Sequence, residues 1–442
     1  MMNQKYETII GLEVHVELNT KTKMFCRCSA DYFGKEPNAH TCPVCLGLPG
    51  ALPYTNKQAI EDCMKIGLSL NCEVSDLSRF ERKNYFYPDL PKGYQISQYR
   101  WPLCIGGRLQ VTGDSGQEVI IGINRVHQEE DTGKLTHQGA QTLIDYNRSG
   151  VPLVEVVTEP DFRDSSQVRD YAQKLQQLFR YLGVSNADME RGDMRLEANV
   201  SVRPVGQKEL PNYRVELKNI NSFRFMVAAI EYERTRQIEA LEKGEKLTQE
   251  TRGWDEAKKE TYVQRSKEEA NDYRYFPEPD LPELRFTNKD LRIKENLPEL
   301  PWNKEKRFME EYGISKNNAE ILTEKLELAG WFEEAVKLGK EKGIAPQDLA
   351  NYIVNQKITL VSQGDALHAV ENFASKKVDL IEDEVEIEKL AKDAMTEDPE
   401  AVKNYQNGKL GAINALVGIV MKKTQGKANS TLAKEVLERL LR

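Results

Sequence analysis

The chain has 442 residues, 39% of them apolar, which is enough for two or three domains with their own cores. Its formal net charge of −8 argues against diffuse, charge-driven binding to nucleic acid but is compatible with a local basic surface. No apolar run approaches the ~20 residues that span a bilayer, and the N-terminus has no signal-peptide core. An odd number of cysteines, seven, without a secretory signal indicates reduced thiols and predicts a cytoplasmic protein. The lack of a long apolar run predicts that the protein does not contact a membrane.

The first predicted element is a β-strand over residues 9–18, in which apolar and polar residues alternate strictly. Successive side chains of a strand point to opposite faces, so Glu13, His15 and Glu17 lie about 7 Å apart along one face. Two carboxylates beside an imidazole can bind Mg²⁺, Mn²⁺ or Zn²⁺, and they can equally transfer protons. The alternative is a solvated strand face that happens to carry a histidine.

Four of the seven cysteines fall between residues 26 and 45, as Cys26-x-Cys28 and Cys42-Pro-Val-Cys45. Two close pairs separated by a short loop can place four thiolates tetrahedrally around one Zn²⁺. Such a closed site would be structural. The alternatives are four reduced, buried thiols, or a site in which His40 replaces a cysteine.

A helix is predicted over residues 56–72, followed by an ordered loop over 79–94 that two prolines and a glycine keep from being a long helix. Basic and aromatic side chains interleave in this loop, which suits a phosphate-bearing ligand with a base that stacks. The loop could equally pack on its own domain. Residues 271–282 repeat part of its pattern, either as a second wall of the same cleft or as a rigid exit from the domain.

Strands are predicted over residues 119–131 and 151–158, and helices over 165–182 and 224–243. The first of these strands ends in an acidic run that includes Glu130. The second carries Glu155 among valines and a leucine, where a carboxylate is costly unless it is paired or binds a metal.

The alternating pattern of the first strand returns over residues 194–203 and 213–218. A curved, largely antiparallel sheet with one packed face produces such alternation. Its charged face would then hold a cation with carboxylates and meet phosphate oxygens with Arg and Lys. Ordinary cross-strand ion pairs are the alternative. The polar residues of these two strands include Arg195, Glu197, Glu216 and Lys218.

After residue 303 the strand signals stop, and residues 303–358 predict a small helical domain. An acidic run over 379–388 predicts a linker or an exposed helix start. The tail from residue 401 holds eight Lys or Arg against two Glu, with basic turns at 407–409 and 426–427 flanking an apolar helix over 416–421. Such turns suit a phosphate backbone, although a solvated helical tail is the alternative. No P-loop and no G-x-S-x-G motif occurs in the sequence.

Four motifs resemble those of the B-subunit family of the bacterial aspartyl/glutamyl-tRNA(Asn/Gln) amidotransferases, and the similarity runs essentially from end to end. The motifs are residues 10–15 (Ile-Gly-Leu-Glu-Val-His), 83–89 (Lys-Asn-Tyr-Phe-Tyr-Pro-Asp), 94–98 (Tyr-Gln-Ile-Ser-Gln) and 272–280 (Asp-Tyr-Arg-Tyr-Phe-Pro-Glu-Pro-Asp). The resemblance implies an α+β catalytic cradle domain over 1–295 that contains the zinc knuckle at 26–45. Two all-α regions would follow, a helical domain over 296–360 and a linker with a small tRNA-binding tail domain over 361–442.

The resemblance also implies an activity. The enzyme would use ATP to phosphorylate the side-chain carboxylate of Glu on tRNA(Gln), or of Asp on tRNA(Asn). Ammonia from a separate amidase (glutaminase) subunit would then displace the phosphate, in a heterotrimer completed by a small third subunit. A free-standing ligase is disfavoured because no glutaminase nucleophile motif is visible. The competing hypothesis is a non-catalytic, zinc-containing scaffold that binds RNA.

The site residues that the resemblance implies fall into three groups. The Mg²⁺ ligands would be Glu13, His15, Glu130 and Glu155, and the zinc ligands Cys26, Cys28, Cys42 and Cys45. Five further residues would line the same cleft: Lys83, Arg195, Glu197, Glu216 and Lys218. The three basic residues among them, Lys83, Arg195 and Lys218, would bind the nucleotide. The chain departs from the family in having Glu197 where a shorter Asp is more common, and in a shorter region around 358–390.

Overall fold

The computed structural model describes residues 5–266, 272–287, 290–355, 366–378, 383–406, 409–424 and 428–441. The chain divides into two compact units, residues 1–304 and 305–442. The predicted basic turn at 426–427, most of the one at 407–409 and the start of the acidic run at 379 lie outside the described residues.

The first unit contains all of the strands of the described chain. They are β1 (Tyr6–Glu17), β2 (Glu73–Val74), β3 (Leu77–Ser78), β4 (Glu81–Asn84), β5 (Tyr94–Ser97), β6 (Cys104–Thr112), β7 (Glu118–Glu130), β8 (Lys134–Gln138), β9 (Gln141–Asp145), β10 (Pro152–Thr158), β11 (Met194–Pro204), β12 (Val215–Ile220), β13 (Glu250–Asp255), β14 (Glu260–Ser266), β15 (Phe276–Pro277) and β16 (Leu284–Arg285).

Nine of these strands form one sheet in the order β14-β13-β12-β11-β1-β10-β7-β6-β2. The five predicted strands, three from alternation and two from their content of β-branched residues, are confirmed, and they are the contiguous run from β12 to β7. The sheet is mixed, because β12 and β13 pair in parallel while its other pairs are antiparallel. A parallel pair needs a long crossover, and a helix between the two strands supplies it.

Among the described residues, three α-helices lie entirely within the first unit, as predicted: α1 (Lys57–Ser69), α2 (Ser165–Tyr181) and α3 (Phe223–Glu242). Asn56 and Asp164 begin the first two by accepting hydrogen bonds from the backbone N–H of Ala59 and Ser166. All three helices pack on the apolar face of the large sheet, where Leu12 of β1 is 1% exposed. The opposite, polar face is left for the side chains of the candidate site, and the small sheet β15-β4-β5 lies beside it at β7.

The second unit is helical, as predicted for the C-terminal region. After α4 (Pro301–Tyr312), which crosses the division, it contains α5 (Lys316–Leu322), α6 (Leu326–Glu341), α7 (Pro346–Asn355), α8 (Ala366–Val378), α9 (Glu384–Glu397), α10 (Pro399–Gln406), α11 (Ile413–Lys423) and α12 (Ser430–Leu441). Helices α5 to α8 share one apolar cluster, so α8 packs with the helices before it, and α9 to α12 share another. None of the described helices is long and apolar enough to cross a membrane.

We expect Leu12→Ala to destabilise the first unit by about 2–5 kcal/mol, because it opens a cavity between the central strand and the helices. Urea unfolding followed by tryptophan fluorescence measures this change. The matched control is Leu143→Ala on β9, where the side chain is 50% exposed and the cost should be small. Equal losses in the two variants would contradict the assignment of β1 to the core.

Candidate active site and cysteine centre

The strand register aligns three site residues across the polar face of the sheet. His15 of β1 pairs with Glu155 of β10, and Glu155 pairs with His127 of β7. His127 Nε2 lies 3.0 Å from Glu155 Oε2, and His15 Nε2 lies 3.9 Å from Glu155 Oε1. Glu129 Oε2 is 3.8 Å from His15 Nε2 and completes the group. His15, Glu129 and Glu155 therefore converge closely enough to hold one metal ion.

Glu129, and not the predicted Glu130, joins this group. Because neighbouring residues of a strand point to opposite faces, Glu129 shares the face of His127, and Glu130 points away from it. The Glu129 carboxylate accepts hydrogen bonds from Ser97 Oγ at 2.6 Å and Gln95 Nε2 at 3.2 Å, both on β5.

Glu130 has partners of its own on the other side. Its carboxylate forms an ion pair with Lys92 and accepts a 2.9 Å hydrogen bond from the backbone N–H of Ile96. Both contacts are to Oε1 of Glu130. His15 and Glu155 converge with Glu129 instead, and Glu13 with Glu197 and Glu216, so the predicted set of Glu13, His15, Glu130 and Glu155 is not one cluster in the structure.

Cationic side chains compensate the carboxylates of the first group. Burial alone would lower the pKa of Lys83, but the charges of Glu129 and Glu155 raise it well above its ordinary value. In return, against the effect of burial, Lys83 and His127 lower the pKa of Glu129 to about 2. The pKa of Glu155 is lowered too, because His127 and His15 outweigh the burial of its carboxylate. Both carboxylates are thus ionised at neutral pH.

A second acidic cluster lies one step along the same face. Glu13, Glu197 and Glu216, from β1, β11 and β12, bring one carboxylate oxygen each within 4.8 Å of the others. Lys218 Nζ lies 2.8 Å from Glu197 and 3.3 Å from Glu216. Burial and the nearby Glu155 and Glu197 carboxylates raise the pKa of Glu13, so an added cation would relieve repulsion at this point. Asn199 Nδ2 donates to Glu13 at 3.1 Å.

Arg195 belongs to a separate network at the end of this face. Its guanidinium forms an ion pair with the buried Asp131 and lies 3.9 Å from Glu17. The Tyr32 hydroxyl lies 3.0 and 3.1 Å from the two carboxylate oxygens of Glu17 and donates to that carboxylate. The structure therefore places Arg195 among carboxylates that hold its side chain in position.

The two aromatic motifs come together beside the group formed by His15, Glu129 and Glu155. β15 pairs with β4, and the backbone N–H of Asn84 donates to the Tyr273 carbonyl at 2.9 Å. The Lys83 ammonium lies 5.1 Å from the Tyr273 ring centroid, and Tyr99 and Tyr275 stack with centroids 4.7 Å apart. The second motif is therefore a wall next to the first loop.

A groove of about 540 Å³ opens on the polar face next to the second acidic cluster. Its volume is within the range of small-ligand sites, and its walls mix apolar and hydrogen-bonding groups. Lining residues include Gly11, Glu13, Thr158, Asn199, Ser201 and Tyr213.

The four predicted cysteines form a compact centre, with their Sγ atoms within 4.8 Å of one another. Zn–S bonds of about 2.3 Å place tetrahedral sulfurs about 3.8 Å apart, and Cys42 Sγ and Cys45 Sγ are separated by 3.8 Å. The donor set and its spacing thus fit a zinc ion. A hydrogen bond from Cys26 and the charge of Lys23 lower the pKa of Cys45 to about 5, against the effect of burial.

The turn that closes this centre requires a glycine. Gly47 has a φ of +64°, and a Cβ built on it would lie 2.4 Å from Lys92 Cγ. A side chain would be strained and would displace the lysine that pairs with Glu130.

Comparison with known proteins assigns the chain to a family. The family model described as GatB/GatE catalytic domain matches residues 8–292, and the one described as GatB domain matches residues 313–441. The chain belongs to the B-subunit family of the aspartyl/glutamyl-tRNA(Asn/Gln) amidotransferases. The B-subunits of these enzymes from Carboxydothermus hydrogenoformans and Thermotoga maritima are 45% and 44% identical to it. The alignments cover 98% of both chains in the first case and 99% of both in the second.

The first of these alignments runs over 480 positions, against 442 residues in this chain. At least 38 residues of the C. hydrogenoformans B-subunit therefore have no counterpart in this chain (480 − 442).

Sequence reasoning missed three charged residues of this family member's polar face. His127 and Glu129 lie at the end of β7 on the face that carries Glu155, and Asp131 directly follows the strand and pairs with Arg195. The period of two separates them from Gln128 and Glu130, but it does not tell which of the two sets lies on the polar face.

Glu129→Gln should weaken Mn²⁺ binding to the first group strongly, since it removes one of three protein ligands, whereas Glu130→Gln should leave this affinity nearly unchanged. Mn²⁺ titration followed by electron paramagnetic resonance measures both. Circular dichroism checks that each variant is folded, because Glu130→Gln leaves Lys92 without its ion-pair partner. A larger loss of Mn²⁺ affinity in Glu130→Gln than in Glu129→Gln would reverse the assignment.

Burial and the charge of Asp131 raise the pKa of Glu17 well above its ordinary 4.5. A carboxyl with a raised folded-state pKa stabilises the fold below its unfolded pKa, and this contribution is lost as pH rises through the folded value. Glu17→Gln cannot ionise, so above pH 4.5 its unfolding free energy relative to wild type should increase by up to about 1.4 kcal/mol per pH unit. Urea unfolding at several pH values measures this, with exposed Glu118→Gln as the control. A pH-independent difference would contradict it.

Proposed function

We propose that this chain uses ATP to phosphorylate the side-chain carboxylate of Glu on tRNA(Gln), of Asp on tRNA(Asn), or of both. Ammonia then attacks the acyl phosphate and displaces phosphate to leave the amide. Support comes from the names of the relatives, which are amidotransferase B-subunits. The observation that carries the proposal is that two acidic clusters, each with a lysine beside it, share one sheet face next to an open groove. This face would be the floor of the predicted cradle.

The residues of both clusters fit a hard divalent cation. His15, Glu129 and Glu155 would hold one Mg²⁺, and Glu13, Glu197 and Glu216 would hold another. When bound, Mg²⁺ supplies neutralisation of the phosphate charge.

The chain's own cations would act on the same phosphates. Lys218 now pairs with Glu197 and Glu216, and Lys83 lies against Tyr273, so both ammonium groups stand at the edge of their clusters. Each can turn towards a phosphate oxygen that enters between the clusters. Phosphoryl transfer depends mainly on such positioning and charge neutralisation. Arg195, whose guanidinium is held by the ion pair with Asp131, would add positive charge at the end of the polar face.

The groove next to Glu13 would hold the nucleoside of ATP. Gly11 forms part of it without a side chain, and Asn199, Ser201 and Thr158 offer hydrogen bonds from neighbouring strands. The tyrosine wall at Tyr99 and Tyr275 offers stacking surfaces for a base of the tRNA acceptor end.

Two further parts of the proposal concern partners. A glutaminase (amidase) subunit, together with a small third subunit, would supply ammonia, since no glutaminase nucleophile motif is visible in this sequence. The tRNA would be bound by the tail, where Lys409, Lys422 and Lys423 lie at or next to the ends of short helices.

Glu155→Gln should abolish ATP-dependent amidation in the complex with the amidase partner, because it removes a ligand of the first cluster, while tRNA binding is kept. Amide formation on mischarged tRNA and a filter-binding assay measure the two properties. Glu159→Gln, an exposed carboxylate just after β10, is the matched control and should be fully active. A non-catalytic scaffold would tolerate Glu155→Gln, so full activity of this variant would favour that alternative.

The proposed kinase step has its own test. ATP hydrolysis by the complex is measured with and without Glu-tRNA(Gln), in Mg²⁺ and then in EDTA. Hydrolysis that needs both the mischarged tRNA and the metal supports the proposal, and ATP left intact under every condition contradicts it.

The cysteine centre is proposed to hold a structural zinc ion. Freshly purified protein should contain about one Zn²⁺ per chain, and Cys42→Ser and Cys45→Ser should lose it because a closed site needs all four thiolates. Plasma mass spectrometry gives the metal content, and Cys63→Ser, outside the centre, is the control. Freshly purified protein that contains no zinc would contradict this assignment.

A further inference from the structure

One lysine of the first unit is completely buried. Lys23 is 0% exposed and lies three residues before Cys26, at the start of the cysteine segment (residues 23–47). Its backbone N–H donates to the Cys28 carbonyl at 3.0 Å. Its ammonium donates to the carbonyls of His40 at 2.8 Å and Tyr146 at 3.2 Å, and to Cys45 Sγ at 3.7 Å.

The charge of this ammonium needs a partner. A buried, uncompensated ammonium is strongly destabilising, and two carbonyl dipoles compensate it only in part. Within the described part of the chain, no carboxylate oxygen lies within 4.0 Å of Lys23 Nζ. The nearby Glu130 carboxylate is already paired with Lys92. Of the three groups that accept from Lys23, only the sulfur of Cys45 can carry a negative charge.

The four-cysteine centre has the opposite need. A zinc ion held by four thiolates is doubly negative overall, and it lies here in a largely buried site. A cation that donates a hydrogen bond to one of the thiolates lowers the cost of that charge and so stabilises the metal-bound state.

We propose that Lys23 is a positioning residue of the cysteine centre that retains zinc by pairing its buried ammonium with the Cys45 thiolate. The proposal rests on the proposed zinc site and goes beyond it by assigning a residue outside the four ligands. Zinc and Lys23 are then coupled, since each makes the other's charge tolerable inside the protein.

The contacts of Lys23 also join the centre to the polar face. Tyr146 lies in the segment between β9 and β10, and Gly150, four residues later, accepts from the backbone N–H of Met24 at 2.7 Å. Asn147, between them, accepts from the His40 N–H at 2.7 Å. The segment that Lys23 helps to hold therefore leads directly into the strand that carries Glu155.

The test compares Lys23→Gln with Lys21→Gln in the full chain. Glutamine can still donate to the two carbonyls but has no charge, and Lys21 is an exposed lysine two residues away. Zinc transfer to the chelating dye 4-(2-pyridylazo)resorcinol should be about 10- to 100-fold faster from Lys23→Gln than from wild type, and unchanged in Lys21→Gln. The same rate in all three proteins would overturn the role of Lys23. Absence of zinc from wild type would instead overturn the zinc site itself.

A second set of variants tests the charge pair even if Lys23→Gln folds poorly. Cys45→Ser removes the thiolate and leaves the ammonium buried without a negative partner, so adding Lys23→Met to this variant should raise its Tm. In the zinc-loaded protein with Cys45 intact, Lys23→Met alone should lower the Tm. This reversal of sign is what a charge pair requires. If Lys23→Met lowers the Tm equally in both backgrounds, Lys23 acts only through its carbonyl contacts, and the proposal is wrong.

Discussion

Carboxylates buried on one face of a sheet must be balanced by cations, and this requirement arranges much of the first unit. Five neighbouring strands bring acidic side chains to the polar face, where water is too scarce to solvate them all. The apolar face can be covered by three helices at no electrostatic cost. The polar face is covered instead by segments that bring Lys83, Gln95 and Ser97 to Glu129. A metal ion at either cluster would also reduce the repulsion between the carboxylates. The stability of the fold and the proposed chemistry therefore both require positive charge at this face of the sheet.

The cysteine segment contributes to this arrangement from outside the sheet. It has little regular structure of its own. Its loops are held by hydrogen bonds to the segment between β9 and β10, most of which join a side chain to the backbone, as when the His40 N–H and the Glu36 carbonyl bond to the Asn147 side chain. Lys92, which packs against Gly47 of the cysteine segment, also pairs with Glu130 at the end of β7. Two of the strands that carry the first group, β7 and β10, are thus connected to the centre through short chains of contacts. A structural zinc ion would fix these strands although it touches none of their side chains.

The strict alternation of apolar and polar residues made β1, β11 and β12 and the shared face of Glu13 and His15 predictable from the sequence, and Glu155 was recognisable as a single carboxylate in an apolar strand. The choice between Glu129 and Glu130 depends on how β7 is aligned with β10, and the irregularity at Val157 and Thr158 that affects this alignment has no local signature. The Lys92 to Glu130 pair and the contact of Lys23 with Cys45 join residues that are distant in sequence, so no periodicity reports them. β6 and β13 escaped prediction because glycines interrupt their patterns.

The position of the candidate site within the nine-stranded sheet has a consequence for its dynamics. All of its strands lie between β12 and β7, and two further strands flank this run on each side. Sheets lose their backbone hydrogen bonds first at the edges, where a strand has one neighbour. Fraying at β14 or β2 would have to pass a second strand before it reached the clusters. The amide hydrogens beneath the carboxylates would therefore exchange with solvent among the last in this unit, and the site keeps its geometry while the margins of the sheet open.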